Sequence, residues 1–176
     1  IPKKASPDIF RAYYQSHVKL YVNLLFITDD DKELLPSWLR FLRGIIDSSD
    51  LPLNVSREIL QQNRVMAKIK SNSVKKVISK LNDLAKDKKK YDPFYKEFGR
   101  LLKEGVYQDF ENKDSLTELL RFKSTLEDGY TSLKDYVSRM QIDQKSIYYI
   151  TGENENSLRK SPLLEMYAEK GVEVLI

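Results

Sequence analysis

The stretch KLYVNLLFIT, residues Lys19 to Thr28, carries the clearest strand signal in the chain. It is rich in aromatic and β-branched residues and apolar on both faces, which is typical of a buried strand with helices on either side. Asp29 to Asp31 end this predicted strand. Apolar residues then recur at helical spacing from Leu34 to Leu42, and Gly44 is expected to close that helix. The pattern predicts an α/β layer.

Helical periodicity dominates the middle of the chain. One apolar face continues from Ser56 to about Ala85, a length on the order of 45 Å at the rise of an α-helix. Lys86 to Asp92 is predicted to be a charged turn. Three further helices are predicted: Phe94 to Leu102, which Gly105 can stop, one opened by the capping box Ser115 to Glu118, and Leu133 to Met140.

The end of the chain has the pattern of a βαβ unit. SIYYIT, from Ser146 to Thr151, and Val172 to Ile176 are predicted strands. Between them, Ser161 is a helix N-cap followed by proline, and Gly171 is a helix C-terminal cap. Strand, helix and strand at this spacing predict a parallel pair with a right-handed crossover.

These patterns predict an α/β protein with two small α/β (αβα) layers joined by a helical segment that includes one long helix. We expect residues 1–85 to form the first layer and the long helix, 86–143 to form a helical connector, and 144–176 to begin the second layer. With 176 residues, of which 41% are hydrophobic, the chain can bury a sizeable core.

Composition excludes several classes of function. The chain has no cysteine and one histidine, His17, so thiolate chemistry is absent and no metal site is predicted. Asp29 to Asp31 lack the spacing of a calcium loop. The chain shows no membrane span and no signal peptide, and we expect a cytoplasmic protein. The net charge is +4, but aspartates interrupt the lysines around Lys86 to Lys90, so no nucleic-acid partner is expected.

The candidate site lies in DLPLNVSREILQQ, Asp50 to Gln62. Asn54, Ser56 and Arg57 stand where a helix is predicted to begin, so backbone N–H groups and a guanidinium would favour an anion there. No glycine-rich phosphate loop occurs in the chain, so a phosphate would have to come from elsewhere. Gln61, one turn later, could orient water. By spacing alone, an ordinary exposed arginine and glutamine remain the alternative.

The sequence resembles the middle domain of the heat shock protein 90 chaperone family, including its bacterial HtpG branch. The matching runs are LPLNVSREILQQ, the preceding LYVNLLFITDDDKELLPSWLRFLRGIIDSSD, and LKDYVSRM, QKSIYYITGE and GVEVLI after it. They occur in the family's order from about Ala5 to Ile176. The resemblance thus covers nearly the whole chain.

The resemblance implies a catalytic loop. In the family the loop arginine, here Arg57, reaches the γ-phosphate of ATP held by a preceding domain, and the glutamine one turn on, here Gln61, assists. Asn54 would lie near the nucleotide. The resemblance also implies that Leu51 and Leu53 contact the nucleotide-binding domain. Phe26 matches an aromatic position that supports the loop.

The resemblance further implies cofactors and partners. ATP with Mg²⁺ would be bound mainly by a domain that has no counterpart in this chain, and unfolded client proteins would be substrates of a homodimeric parent. Residues 1–85 would be the C-terminal part of the larger α/β layer, including the catalytic loop, and 144–176 the start of the smaller one. We therefore expect an incomplete first layer, an unpaired edge on Lys19 to Thr28, and no ATP hydrolysis by this chain alone.

Two other classes of function stay open at this point. The chain could be a stand-alone protein-interaction module without nucleotide chemistry, which would keep partner binding when the loop is deleted. It could also bind polyanions, in which case binding would fall steeply with salt.

Overall fold

The computed structural model describes residues 1–11, 14, 16–29, 34–49, 51 and 64–176. These residues form a mixed α/β structure, as predicted, with a small sheet and several helices. The chain divides into two compact units, unit 1 from Ile1 to Thr117 and unit 2 from Glu118 to Ile176. The three-part division of the chain into functional regions stays a prediction.

Unit 1 contains a three-stranded sheet. Its strands are β1 (His17–Val22), β2 (Leu25–Thr28) and β3 (Arg43–Ser48), in the order β2-β1-β3. β1 pairs antiparallel with β2 and parallel with β3. In the described sheet β1 is therefore the central strand and β2 lies at an edge.

The prediction of one continuous strand from Lys19 to Thr28 is wrong. The chain reverses at Asn23 and Leu24, whose φ angles are 49° and 66°. Two residues with positive φ form the tight loop that matches the twist of an antiparallel hairpin. The usual sequence signal for this loop is Asn-Gly, and here leucine takes the place of the glycine. Leucine disfavours positive φ, so a leucine at this position did not indicate a turn.

The predicted helix from Leu34 to Leu42 is also wrong. The structure has a single 3₁₀ turn, Ser37–Leu39, and Gly44 lies inside β3 instead of ending a helix. The apolar residues on which the prediction rested are nevertheless buried: Leu34, Leu35, Trp38, Leu39 and Phe41. A compact irregular segment can bury the same residues as a helix, so apolar spacing alone did not separate the two structures.

Two long helices pack in unit 1. Helix α1 spans Arg64–Ala85, which confirms the long helix over that range, while its predicted start at Ser56 lies outside the described residues. Helix α2 spans Lys88–Gln108. The charged turn predicted over Lys86 to Asp92 is too long because the Asp87 side chain accepts the Lys89 N–H at 3.1 Å and starts α2 there.

Gly105 does not stop α2 where the sequence suggested. The helix continues to Gln108, and Gly105 instead lies against the indole ring of Trp38. The next helix, α3 (Lys113–Leu119), begins before the predicted capping box, so Ser115 is already helical. Both differences arise because serine, and glycine at a cost of about 1 kcal/mol, can also occupy a helix interior when packing favours it.

Unit 2 is built from short elements. Its helices are α4 (Leu133–Ser138), α5 (Glu155–Arg159) and α6 (Glu165–Glu169), with a 3₁₀ turn at Pro162–Leu164. α4 confirms the predicted helix from Leu133. The Ser161 hydroxyl accepts the Leu163 N–H at 3.4 Å, which confirms the predicted N-cap. Gly171 has a φ of 63°, as a C-terminal cap requires.

The two strands predicted in unit 2 are reduced to single bridges. Tyr149 pairs with Leu175 in parallel, which confirms the predicted direction, and Ser124 pairs with Leu175 in antiparallel. Leu175 therefore lies between two neighbours, of which only Tyr149 belongs to a strand predicted from the sequence.

Candidate functional site

The predicted site residues Asn54, Arg57 and Gln61, with Leu53, lie outside the described residues. Their roles remain predictions. The structure describes the chain on both sides of them, from the end of β3 at Ser48 and the single residue Leu51 to the start of α1 at Arg64.

The chain is anchored where it approaches this segment. Leu51 is only 2% exposed, so its side chain belongs to the apolar core. In the parallel pairing of β1 and β3, Val22 lies opposite Ser48, and the β1–β2 turn therefore adjoins the end of β3. Two backbone N–H groups of the turn donate to β3: Asn23 to the Ser48 carbonyl at 3.4 Å and Leu24 to Asp47 Oδ1 at 3.3 Å.

The chain is anchored again where it leaves the segment. Met66, in the first described turn of α1, is buried, and the buried residues Val74, Ile78 and Leu81 follow along the helix. Apolar residues at this spacing share one helix face, which packs α1 against the rest of unit 1. The segment that contains Arg57 thus connects two fixed points.

Phe26 lies in a row of side chains across the sheet. It pairs with Tyr21 of β1, and Tyr21 pairs on its other side with Asp47 of β3. The Phe26 and Tyr21 rings are 5.7 Å apart in an edge-to-face arrangement, and Phe26 is 53% exposed. Directly paired residues share one face of a sheet, so this row runs from the edge strand to the end of β3.

The places of Asp47 and Tyr21 beside the hairpin could not be predicted from the sequence, because the turn at Asn23 and Leu24 lacks the usual glycine. The hydrogen bond between Leu24 and Asp47 depends on the parallel pairing of β1 with β3, two strands that are distant in sequence. A stronger turn signal at Asn23, such as a following glycine, would have revealed it.

The lysine-rich region forms ion pairs with aspartates that are close in sequence. Lys86 lies 2.8 Å from Asp83, and Lys90 lies 3.1 Å from Asp87. The hydrogen bond from Lys86 holds the pKa of Asp83 below its usual range, and the bond from Lys90 does the same to the pKa of Asp87. Each carboxylate therefore offsets a nearby positive charge, as the sequence analysis expected.

Each unit contains a groove lined by described residues. One in unit 1, of about 580 Å³, includes Lys80, Leu84 and Phe94 in its lining. The other, of about 330 Å³, is in unit 2 and includes Arg159 and Tyr167. Neither contains a glycine-rich phosphate loop, so neither resembles a nucleotide pocket.

The described part of the chain has neither a cluster of metal-ligating side chains nor a membrane-spanning helix. It contains no group of three or more His, Cys, Asp or Glu side chains that could hold a metal ion. No helix in the same residues is long and apolar enough to cross a membrane.

Comparison with known proteins gives matches over the whole chain. A family model described as Hsp90 protein matches residues 1–176. The chaperone protein HtpG of Helicobacter pylori is 60% identical over 176 residues, which is 100% of this chain and 28% of the relative. HtpG of Treponema denticola is 59% identical over 181 residues, which again cover 100% of this chain and 28% of the relative. The chain therefore spans about 28% of the length of these relatives.

A solved structure also matches. The middle domain of a heat shock protein of Plasmodium falciparum aligns with a TM-score of 0.81 and 34% sequence identity. The alignment covers 99% of this chain and 68% of that one.

Proposed function

The chain belongs to the Hsp90 protein family, and we propose that, within a full-length parent chaperone, it supplies Arg57 to ATP hydrolysis by a preceding nucleotide-binding domain. The observation that carries this proposal is the family match over residues 1–176, which includes the run from Asp50 to Gln62. The likeness to a solved middle domain supports the same position within the parent.

The chemistry of arginine suits this role. Its guanidinium stays charged at all physiological pH values and presents a planar fork of donors to phosphate oxygens. Charge develops on the γ-phosphate during hydrolysis, and a cation placed there stabilises the transition state.

The remaining roles follow from the same proposal. Gln61 orients water or a phosphate oxygen, and Asn54 lies near the nucleotide. ATP and Mg²⁺ are held mainly by the preceding domain, so the chain alone hydrolyses no ATP. The parent is a cytoplasmic homodimer.

The chain also offers surface to unfolded client proteins. Tyr107, in the last turn of α2, is 83% exposed, and Phe110, two residues after the helix ends, is 79% exposed. Exposed aromatic side chains mark surfaces that bind apolar segments of other proteins. The double variant Tyr107→Ser/Phe110→Ser in the parent should suppress aggregation of a denatured client less well than the wild type, at unchanged ATP turnover. Equal suppression would exclude these two residues from client binding.

Arg57→Ala in the full-length parent tests the catalytic role. ATP turnover should fall on the order of 10³-fold or more, as for other transition-state arginines. Nucleotide affinity should stay within about a few-fold because the adenine pocket lies in the other domain. Arg57→Lys should restore little, since lysine lacks the planar fork.

Arg64→Ala is the matched control, because Arg64 is an exposed arginine at the described start of α1. Its turnover should resemble that of the wild type. Wild-type turnover of Arg57→Ala, after subtraction of the inhibitor-insensitive background, would refute the catalytic role. Retained client binding in that variant would then favour a protein-interaction module without nucleotide chemistry.

A further inference from the structure

The exposed side of helix α1 is strongly basic. The helix contains five lysines and one arginine but a single acidic residue, Asp83. Four of the lysines are exposed, and together they form a surface that we call the α1 basic face: Lys68, Lys75, Lys76 and Lys80. Because the whole chain has a net charge of only +4, positive charge is concentrated on this helix.

Helical geometry places the α1 basic face on one side of the helix. At about 3.6 residues per turn, its lysines fall within an arc of about 140°, and the centre of that arc is nearly opposite the buried apolar face of α1. From Lys68 to Lys80 the helix rises about 18 Å. A single phosphate group cannot reach both ends, so a ligand that contacts the whole face must be an extended chain.

Carboxylates in the part of the chain that the structure describes do not neutralise the α1 basic face. The aspartates that follow in sequence are paired with other lysines. Asp83 lies 2.8 Å from Lys86, and Asp87 lies 3.1 Å from Lys90. The hydrogen bond from Lys86 is the main cause of the lowered pKa of Asp83, and the charge of Lys80 contributes least. The positive charge of the face is therefore available to an outside ligand.

The side chains around these lysines indicate the kind of ligand. Helix α1 contains no aromatic residue, and none of its large apolar residues is exposed. Protein interfaces depend on aromatic or apolar anchors, and single-stranded nucleic acids stack their bases on aromatic rings. The face instead offers exposed Asn72 and Ser79 between its lysines, and all three residue types donate to phosphate oxygens. It therefore fits a phosphate chain that carries neither bases nor apolar groups.

We propose that the α1 basic face binds a linear phosphate polymer, whose successive phosphates contact Lys68, Lys75 and Lys76. Binding releases the counterions condensed on the polymer, so the affinity falls as salt is added. For about four contacts, the affinity should fall about 50-fold between about 50 mM and about 200 mM salt. This binding requires no nucleotide and is independent of the proposed role of Arg57.

Calorimetric titration of the 176-residue chain with inorganic polyphosphate tests the proposal. The triple variant Lys68→Gln/Lys75→Gln/Lys76→Gln should lower the affinity on the order of 10-fold or more at about 50 mM salt. The slope of log affinity against log salt should become shallower by about two to three, because each lost lysine removes one phosphate contact. Arginine at the same three positions keeps the charge and should keep the affinity.

A charge-matched variant is the control. Lys113→Gln/Lys134→Gln/Lys145→Gln removes three exposed lysines that lie outside α1 and changes the net charge by the same amount. Its affinity for polyphosphate should stay within about two-fold of the wild type, because these lysines do not form one continuous surface.

Several results would overturn the proposal. These are no measurable binding of polyphosphate by the wild type at about 50 mM salt, wild-type affinity in the α1 variant, and an equal loss in the control variant. Poly-glutamate and single-stranded RNA of equal charge should bind more weakly than polyphosphate. If either binds more tightly and loses affinity in the α1 variant, the partner is an acidic protein or a nucleic acid, and the assignment to a phosphate polymer is wrong.

Discussion

Arg139 and Glu173 form a two-pronged ion pair in unit 2. Arg139 Nε lies 2.9 Å from Glu173 Oε2, and Nη2 lies 2.8 Å from Oε1. Glu173 is only 4% exposed, and Arg139 Nη2 also donates to the Thr131 hydroxyl at 2.8 Å. The hydrogen bond to Glu173 raises the pKa of Arg139. The pair links α4 to the C-terminal segment, which the Tyr136 hydroxyl also holds by donating to the Glu173 carbonyl at 2.7 Å.

Removal of Arg139 should destabilise the chain strongly. Arg139→Met leaves the Glu173 carboxylate buried without its partner, which costs about 3 kcal/mol of unfolding free energy. Urea unfolding of the 176-residue chain measures this loss. Lys86→Met, which breaks an exposed 2.8 Å pair with Asp83, is the control and should cost far less, because exposed ion pairs contribute little to stability. Equal losses in the two variants would contradict the prediction.

A second variant separates charge burial from packing. Arg139→Met combined with Glu173→Leu replaces both ends of the pair with apolar groups and should recover much of the lost stability. No recovery would show that the packing around Arg139, and not the unpaired carboxylate, determined the loss.

Gly105→Ala should destabilise unit 1. A Cβ at this position would lie 2.9 Å from Cγ of Trp38, a fully buried side chain. Overpacking of this kind costs about 1–3 kcal/mol, while the better helix propensity of alanine returns about 1 kcal/mol. Thermal unfolding should therefore shift downward by a few degrees. Lys96→Ala, an exposed change on the same helix, should leave the midpoint nearly unchanged.

The long helices could be predicted from the sequence, and their ends could not. The apolar face of α1 continues to Ala85 with a regular period, so the helix was evident. The start of α2 depends on one hydrogen bond, from the Lys89 N–H to the Asp87 side chain, within a run of charged residues that has no period. A local capping hydrogen bond determines where such a helix begins, and the composition of the run does not indicate that position.

The sheet was mispredicted because its turn lacks the expected glycine. With Leu24 in the second position of the loop, Lys19 to Thr28 has the composition of one buried strand. Arg57 and Gln61 were identified from the family resemblance, whereas their spacing alone did not distinguish them from ordinary exposed residues. Asp47 could not be identified, because its partner is the backbone of Leu24 across a parallel strand pair.

Leu24→Gly should stabilise the hairpin. Glycine adopts positive φ without the steric cost that leucine bears, about 1 kcal/mol, although its freedom in the unfolded chain offsets part of this gain. We expect a net gain of about 0.5 kcal/mol, visible as a higher thermal midpoint. Leu24→Ala retains the Cβ and should gain nothing, so an equal rise in both variants would contradict this explanation.

Gln61→Ala in the full-length parent should lower ATP turnover less than Arg57→Ala does. A neutral amide offers weaker hydrogen bonds to water or phosphate than a guanidinium. Steady-state turnover of the two variants, measured side by side, tests this order. A loss in Gln61→Ala equal to that in Arg57→Ala would assign glutamine a larger role than the proposal allows.

Asp135 should make the stability of unit 2 depend on pH in the acid range. The Ser132 hydroxyl donates to Asp135 Oδ2 at 2.7 Å and accepts the Asp135 N–H at 3.0 Å. The hydrogen bond from Ser132 lowers the pKa of Asp135 in the folded chain. The carboxylate form is therefore favoured by folding, and its contribution is complete above the unfolded pKa of about 4 and lost as the pH falls through the lower folded pKa.

Asp135→Asn removes this titrating group. Denaturant unfolding of the 176-residue chain at several pH values below about 5 should therefore show a shallower loss of stability in Asp135→Asn than in the wild type. Ser132→Ala should flatten the same limb, because it removes the donor that lowers the pKa. Ser138→Ala is the matched control: its hydroxyl donates to the Asp135 backbone carbonyl at 2.7 Å and leaves the carboxylate untouched. An acid limb that is equally steep in Asp135→Asn and in the wild type would show that Asp135 does not couple folding to protonation.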